Sequence, residues 1–139
     1  MLLAAVAAAF HASAINYREN EEIFRTINNA RQALFRMTSQ LRTADAVDPC
    51  APNNECTLVT PSSENITYRY NSGDNKLYLD TNGNSYVLCE YVTAMTCTKN
   101  AVLDDTIWKV KSVQISITVA CGDMERTIAA AAVVRRNLN

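Results

Sequence analysis

The first 47 residues contain neither proline nor glycine, and this limits the chain more than any other feature of its sequence. The stretch is rich in alanine, leucine, arginine, glutamate and glutamine, which favour helix. It therefore predicts one unbroken helix from Met1 to about Val47. At about 1.5 Å per residue such a helix is roughly 70 Å long, more than a domain of this size can cover.

The two halves of this predicted helix differ in their chemistry. Residues 1–15 are apolar nearly all round and carry no charge, whereas residues 16–47 repeat apolar side chains alternately four and three positions apart, which forms one stripe along a helix. We expect the first part to serve as a membrane or assembly segment, and the stripe to pack on the rest of the chain. The candidate membrane or assembly residues are Leu2, Leu3, Val6 and Phe10. The candidate packing residues are Ile23, Ile27, Ala30, Leu34, Met37, Leu41 and Ala44.

Three interpretations of the apolar first part are open. The run ends in Ala12-Ser13-Ala14, which resembles the cleavage site of a secretory signal peptide, although no basic residues precede it. A helix buried in the core is the second. The third, which we favour, is that the chain begins partway through a longer apolar segment, because about 20 apolar residues are needed to cross a membrane.

Five cysteines occur in the remainder of the chain, and no two of them form a CxxC pair. The only histidine is His11 in the apolar stretch, so we expect no zinc site. Residues 80–84 resemble part of a calcium loop, but Tyr91 stands where the downstream acid is needed, so a hairpin turn is the favoured interpretation and no metal or cofactor is expected. Disulfides are the favoured interpretation, and they indicate an oxidising compartment. Cys50 and Cys56 are close enough in sequence to close a small ring. Cys97–Cys121 is the preferred second bridge and Cys89–Cys121 its competitor.

Residues 48–139 have the composition of strands and turns. Residues 50–63 read as a turn-rich loop, and Asn82-Gly83 predicts a hairpin turn of a primed type. The run of alanines and valines ending at Val134 suggests a strand covered on both faces. The predicted strands are 66–70, 76–80, 85–98, 113–121 and 125–134. The expected fold class is therefore α+β, in which the long N-terminal helix packs on a small antiparallel sheet, and residues 48–139 are a disulfide-bearing head that forms one domain with the helix.

Catalysis and nucleic-acid binding find little support in the residue types. Cys89 lacks a histidine in the head to activate it, and nothing brings Glu90 together with Asp104 and Asp105, so we expect no enzyme. The net charge of −1 provides no general attraction for nucleic acid. A basic cluster at one edge of the sheet is the arrangement that would favour DNA. Its candidate residues are Lys99, Lys109, Lys111, Arg126, Arg135 and Arg136.

Two stretches resemble a known family. Residues 29–44 (NARQALFRMTSQLRTA) and the terminal residues 133–138 (VVRRNL) look most like the minor pilins and minor pseudopilins of the type IV pilin-like superfamily. The resemblance implies a structural, non-enzymatic subunit of a type IV pilus or a type II secretion pseudopilus. It implies other pilin or pseudopilin subunits as partners, with secreted cargo as a further candidate. The implied location is the bacterial inner membrane with a periplasmic head, and an extracellular filament after assembly.

The chain also departs from the family's pattern. Such prepilins carry a short basic leader, a cleavage glycine, a phenylalanine that becomes methylated, and a glutamate at mature position five. Here position five is Ala5, and no acid occurs before Glu19. We therefore expect Met1 to lie inside the family's membrane segment. The alternatives are a soluble secreted or periplasmic binding domain with a cleaved signal peptide, and a DNA-binding minor pilin of an uptake machine.

Overall fold

The computed structural model describes the backbone of residues 2–135 and the side chains of residues 5–14, 17, 18 and 20–135. Within this range one α-helix, α1 (Leu2–Thr43), precedes eight strands. The strands are β1 (Ala46–Val47), β2 (Glu55–Val59), β3 (Asn65–Asn71), β4 (Lys76–Thr81), β5 (Asn84–Cys89), β6 (Val92–Asp104), β7 (Ile107–Cys121) and β8 (Met124–Val133). Met1 and residues 136–139, which include the end of the C-terminal sequence motif, lie outside the described residues.

The predicted fold class is wrong. Strands make up about 50% of the chain and helix 29%, so the protein is mostly β. The strands form two antiparallel sheets, one of five strands in the order β1-β2-β3-β4-β5 and one of three in the order β6-β7-β8. The α+β prediction of a long helix on one small sheet underestimated the number of strands and did not include a second sheet. Alternation within a segment reveals a strand but not how strands are shared between sheets.

The helix ends before the predicted boundary at residue 47. Ala46 and Val47 leave the helix and pair with Val59 and Leu58 as a short edge strand. A flanking backbone hydrogen bond supports this pairing, in which the Asp45 amide donates to the Val59 carbonyl at 2.8 Å. Strand pairing therefore stops the helix several residues before the geometry imposed by Pro49 would do so.

Three of the predicted strand assignments also need correction. The loop predicted over residues 50–63 contains β2, which pairs with β3 along its whole length. The long strand predicted over residues 85–98 is two strands in different sheets, separated at Glu90 and Tyr91, where Tyr91 has a φ of 61°. Strand β8 is exposed on one face rather than covered on both.

The hairpin turn predicted at Asn82-Gly83 is confirmed. Both residues have positive φ, 52° and 78°, and the flanking Thr81 and Asn84 form the last pair of the β4–β5 ladder. Positive φ at both central positions defines the type I′ turn, whose twist matches that of the strands it joins. Asparagine and glycine are the residues that adopt this conformation at least cost.

A single hydrophobic core joins both sheets to the second half of α1. The helix packs against β7 and β8 of one sheet and β5 of the other. Six of the seven stripe residues named from the sequence are buried, and Ile27 is partly buried. Two threonines, Thr26 and Thr38, are also buried on the helix, and their hydroxyls donate to the carbonyls of Glu22 and Phe35. The polar groups placed in the core are thus bonded to the helix itself.

An ion pair on the five-stranded sheet gives a testable pH dependence. Arg69 Nε donates to the Asp80 carboxylate at 2.9 Å, and Ser85 adds a hydrogen bond. The Arg69 hydrogen bond holds the pKa of Asp80 below its ordinary value of 3.8. Because the pKa is depressed in the folded state, ionised Asp80 stabilises the fold above about pH 4, and this contribution disappears as the pH falls through the folded pKa.

We expect Asp80→Asn to remove this acid dependence. The melting temperature of Asp80→Asn should lie below that of the wild type at pH 6, and the two should converge between about pH 4 and pH 2. Thermal unfolding followed by circular dichroism across that range measures the difference. A difference that stays constant down to pH 2 would show that Asp80 contributes nothing through its charge.

Candidate assembly surface

The described side chains in the first half of α1 are exposed to solvent. Every described side chain from position 5 to position 22 is exposed, and the first buried side chain on the helix is Ile23. At 1.5 Å per residue, the helical residues before Ile23 extend for about 30 Å. The residues proposed from the sequence lie here, since Val6 and Phe10 are both exposed, while the side chains of Leu2 and Leu3 fall outside the described residues.

An aromatic stripe runs along the solvent face of α1 and consists of Phe10, Tyr17, Phe24 and Phe35. Their side chains are 68–76% exposed. The spacings of seven, seven and eleven residues rotate the helix by nearly whole turns, so at about 100° per residue all four lie within an arc of about 40°. The stripe is about 37 Å long. It extends over both the projecting and the docked part of the helix.

The aromatic stripe faces away from the sheets. On a helical projection the buried residues Ile23, Ala30 and Met37 lie about 140° from the aromatic residues. Residues recurring every seven positions on one exposed face are typical of helices that pack against other helices. The sequence interpretation followed the aliphatic stripe alone and did not identify this second stripe, although its spacing is visible in the sequence.

Charged side chains beside the aromatic stripe are solvated. Glu21 and Arg25 form an ion pair across one helical turn at 3.7 Å, with more than half of each side chain exposed. Such a pair contributes little to stability in water. This ion pair therefore contributes little to the folding of the helix.

The loop end of the β6–β7 hairpin carries a second exposed apolar patch. Leu103 lies directly opposite Trp108 in the ladder, and both are more than half exposed. Val102 and Ile107 are exposed beside them. Large aromatic residues at the surface often contribute strongly to protein association. The patch belongs to the sheets and is separate in sequence from the aromatic stripe.

The cysteines are placed differently from the sequence interpretation. All five are thiols in the structure, and Cys50 alone is exposed. Cys56 is buried in β2 beside Cys97, whereas Cys50 is exposed in the segment before β2. The predicted Cys97–Cys121 bridge is wrong, because Cys97 pairs with Ile115 and lies six residues along β7 from Cys121, or about 20 Å.

Cys89 and Cys121 lie near each other at another point of contact between the sheets. Their thiols are close enough to interact electrostatically, and burial, together with the neighbouring Glu90 and Cys121, raises the pKa of Cys89 to about 11. The Cys121 sulfur also lies 3.2 Å from the Thr26 hydroxyl on α1. Of the two bridges considered for Cys121, the geometry therefore favours the partner Cys89.

The structure brings together only part of the set of basic residues that the DNA-binding alternative requires, and Arg136 lies outside the described residues. Lys99 donates to three backbone carbonyls, and Lys109 pairs with Asp104 at 2.9 Å. Arg126 lies opposite Val119, ten residues along β7 from Lys109, which corresponds to about 33 Å. The described basic residues of this set thus all belong to the three-stranded sheet and its C-terminal extension, with Arg126 beside the opposite end of β7 from Lys109.

The acidic residues considered for catalysis are also separated. Glu90 follows β5 and forms a weak ion pair with Lys76 at 3.9 Å. Asp104 lies at the far end of β6, more than a dozen residues along the chain. Among the side chains that the structure describes, no group of three or more histidine, cysteine or acidic residues comes together as metal ligands. His11 is exposed on the projecting helix.

Comparisons with protein-family models, with curated proteins and with solved structures found no match for this chain. In the part of the chain that the structure describes, no helix is both long and apolar enough to cross a membrane. The exposed apolar residues described above lie on the first half of α1, along its aromatic stripe and at the hairpin tip around Trp108.

Proposed function

We propose that the chain is a structural subunit, a minor pilin or pseudopilin, of a type IV pilus or a type II secretion pseudopilus. The observation that carries this proposal is the first half of α1, whose apolar side chains are exposed while its second half is docked on the sheets. The resemblance of residues 29–44 and 133–138 to minor pilins supports the same function.

The physical basis of assembly is the burial of this exposed apolar surface. Val6, Phe10 and Tyr17 are each more than 60% exposed in the isolated subunit. Their burial against a neighbouring helix would contribute roughly 1.5–3 kcal/mol for each side chain. Packing of α1 against equivalent helices in a filament removes this surface from water and leaves the two sheets on the outside.

The proposed partners are other pilin or pseudopilin subunits. Before assembly the projecting helix associates with the inner membrane, and afterwards it packs in the filament while the sheets face the periplasm or the exterior. Secreted cargo is a further partner, for which the exposed hairpin tip around Trp108 offers an apolar contact surface.

Photo-crosslinking in the cells that naturally produce the chain tests this function. A photoreactive phenylalanine analogue at position 10 should form cross-links to a second pilin-like subunit. The same analogue at Asn100, an exposed position on β6, serves as the matched control and should give no such product. Mass spectrometry of the cross-linked products identifies the partner.

The mass of the native protein's N-terminus decides between this function and the secreted-domain alternative. A methylated N-terminal phenylalanine upstream of Met1 is the expected result for a processed pilin. A mature chain that begins at Ile15 would mean that a signal peptide had been removed. The proposal would then fail, since Val6 and Phe10 would be absent from the functional protein.

A further inference from the structure

Cys56 and Cys97 are brought together from different sheets. Cys56 lies in β2 of the five-stranded sheet and Cys97 in β6 of the three-stranded sheet, and both side chains are 0% exposed. Their thiols hydrogen-bond each other in the core. They are 41 positions apart in the chain, so their contact is a product of the way the two sheets pack.

Hydrogen bonds to the backbone near the two cysteines hold β2 next to β6. The Cys97 amide donates to the Asn53 carbonyl at 2.6 Å, which ties β6 to the segment before β2. The Lys99 ammonium donates to the carbonyls of Ala51 and Pro52 at 3.0 and 3.2 Å. These bonds fix β2 relative to β6, so the sulfurs can approach with little movement of the backbone.

The environment makes the two thiols chemically unequal. The hydrogen bond to Cys97, together with burial, raises the pKa of Cys56 above its ordinary range. The same hydrogen bond, aided by the nearby Lys99 ammonium, lowers the pKa of Cys97. A thiolate is the nucleophile in thiol–disulfide exchange. Because both sulfurs are inaccessible in the closed fold, either cysteine reacts as a thiolate before the sheets close.

We propose that Cys56 and Cys97 form a disulfide that covalently joins the two sheets. The oxidant is a disulfide, either a small molecule or a protein. The thiolate of one of the two cysteines attacks it, forms a mixed disulfide and releases one thiolate. The thiolate of the other cysteine then attacks the sulfur of the first and releases the second thiolate. The oxidant accepts two electrons, and the two protons lost by the cysteines pass to its two thiolates.

The position of this bond predicts how it forms and what it does. Both sulfurs are inaccessible once the sheets have closed, so exchange takes place during folding. The described chain passes from one sheet to the other at Glu90 and Tyr91, and the disulfide is a second covalent link between the sheets. It closes a loop of about 42 residues, which constrains the unfolded chain strongly.

Peptide mapping of the full chain tests the proposal. The protein is refolded with oxidised and reduced glutathione, its free thiols are blocked in denaturant at acidic pH, and it is digested with trypsin and a glutamate-specific protease. Glu55 separates Cys50 from Cys56, and Glu90 separates Cys89 from Cys97, so these cysteines fall in different peptides. The expected product links residues 56–64 to residues 91–99. A Cys50–Cys56 or Cys97–Cys121 link, or five free thiols, would overturn the proposal.

Thermal unfolding with and without reductant provides the second measurement. The Cys56–Cys97 disulfide should raise the melting temperature of the oxidised wild type by roughly 10 °C relative to the reduced protein. The double variant Cys56→Ala/Cys97→Ala should lose this increase. Cys50→Ala is the matched control and should keep the whole shift. Because neither measurement depends on assembly through α1, a failure here is distinct from a failure of the proposed filament function.

Discussion

Met37→Asp is expected to unfold the head or to cost at least about 4 kcal/mol of its stability. Met37 is fully buried where α1 packs on the sheets. An aspartate there must either carry an unpaired charge in the core or be protonated, and it also loses the contacts of the methionine side chain. Urea unfolding followed by circular dichroism measures the loss.

Phe35→Asp is the matched control for this substitution. It introduces the same residue two positions away on the same helix, but Phe35 lies on the exposed aromatic stripe. We expect its effect on the free energy of unfolding to stay within about 1 kcal/mol. Equal losses in the two variants would mean that α1 does not dock through the Met37 face, and the packing described here would be wrong.

The second large effect concerns assembly. The double variant Phe10→Asp/Tyr17→Asp should weaken association through α1 by at least about 100-fold, since each aromatic side chain buried at an interface contributes roughly 1.5–3 kcal/mol. Both residues are exposed in the single subunit. The melting temperature of the subunit should therefore change by no more than about 2 °C. Cross-linking yield as a function of subunit concentration measures the association.

A charge-matched variant separates this effect from general repulsion. Asn84→Asp/Asn100→Asp adds the same two negative charges at exposed positions on the sheets. It should assemble as the wild type does. If this control weakens assembly as much as the helix variant, net charge is responsible and the aromatic stripe is not the interface.

Features set by local periodicity could be predicted from the sequence. The recurrence of Ile23, Ala30 and Met37 every seven residues places them on one face of a helix whatever the rest of the chain does. Likewise Asn82-Gly83 predicts its turn, because the positive φ values required there suit these two residues. Such signals depend on backbone geometry within a few residues.

Features set by packing between distant segments could not be predicted in this way. Residues 85–98 resemble one strand because their strand propensity is continuous. Tyrosine rarely adopts a positive φ, so the residue type at position 91 gives no sign of the break between the two strands. The residue that lies beside Cys56 depends on how the two sheets pack, and the spacing of the cysteines along the sequence does not predict it. The spacing of the aromatic stripe is visible in the sequence, but its exposure to solvent is known only from the fold.

The way α1 docks also determines how the head bears load. A pull along the projecting half enters the head at Ile23 and is shared by the buried side chains between there and Ala44. These side chains interlock with the sheets along the direction of the pull, so they have to be displaced together. A force that pulls the helix sideways separates the contacts of these side chains one turn at a time. The subunit should therefore resist tension along its helix axis far better than peeling across it.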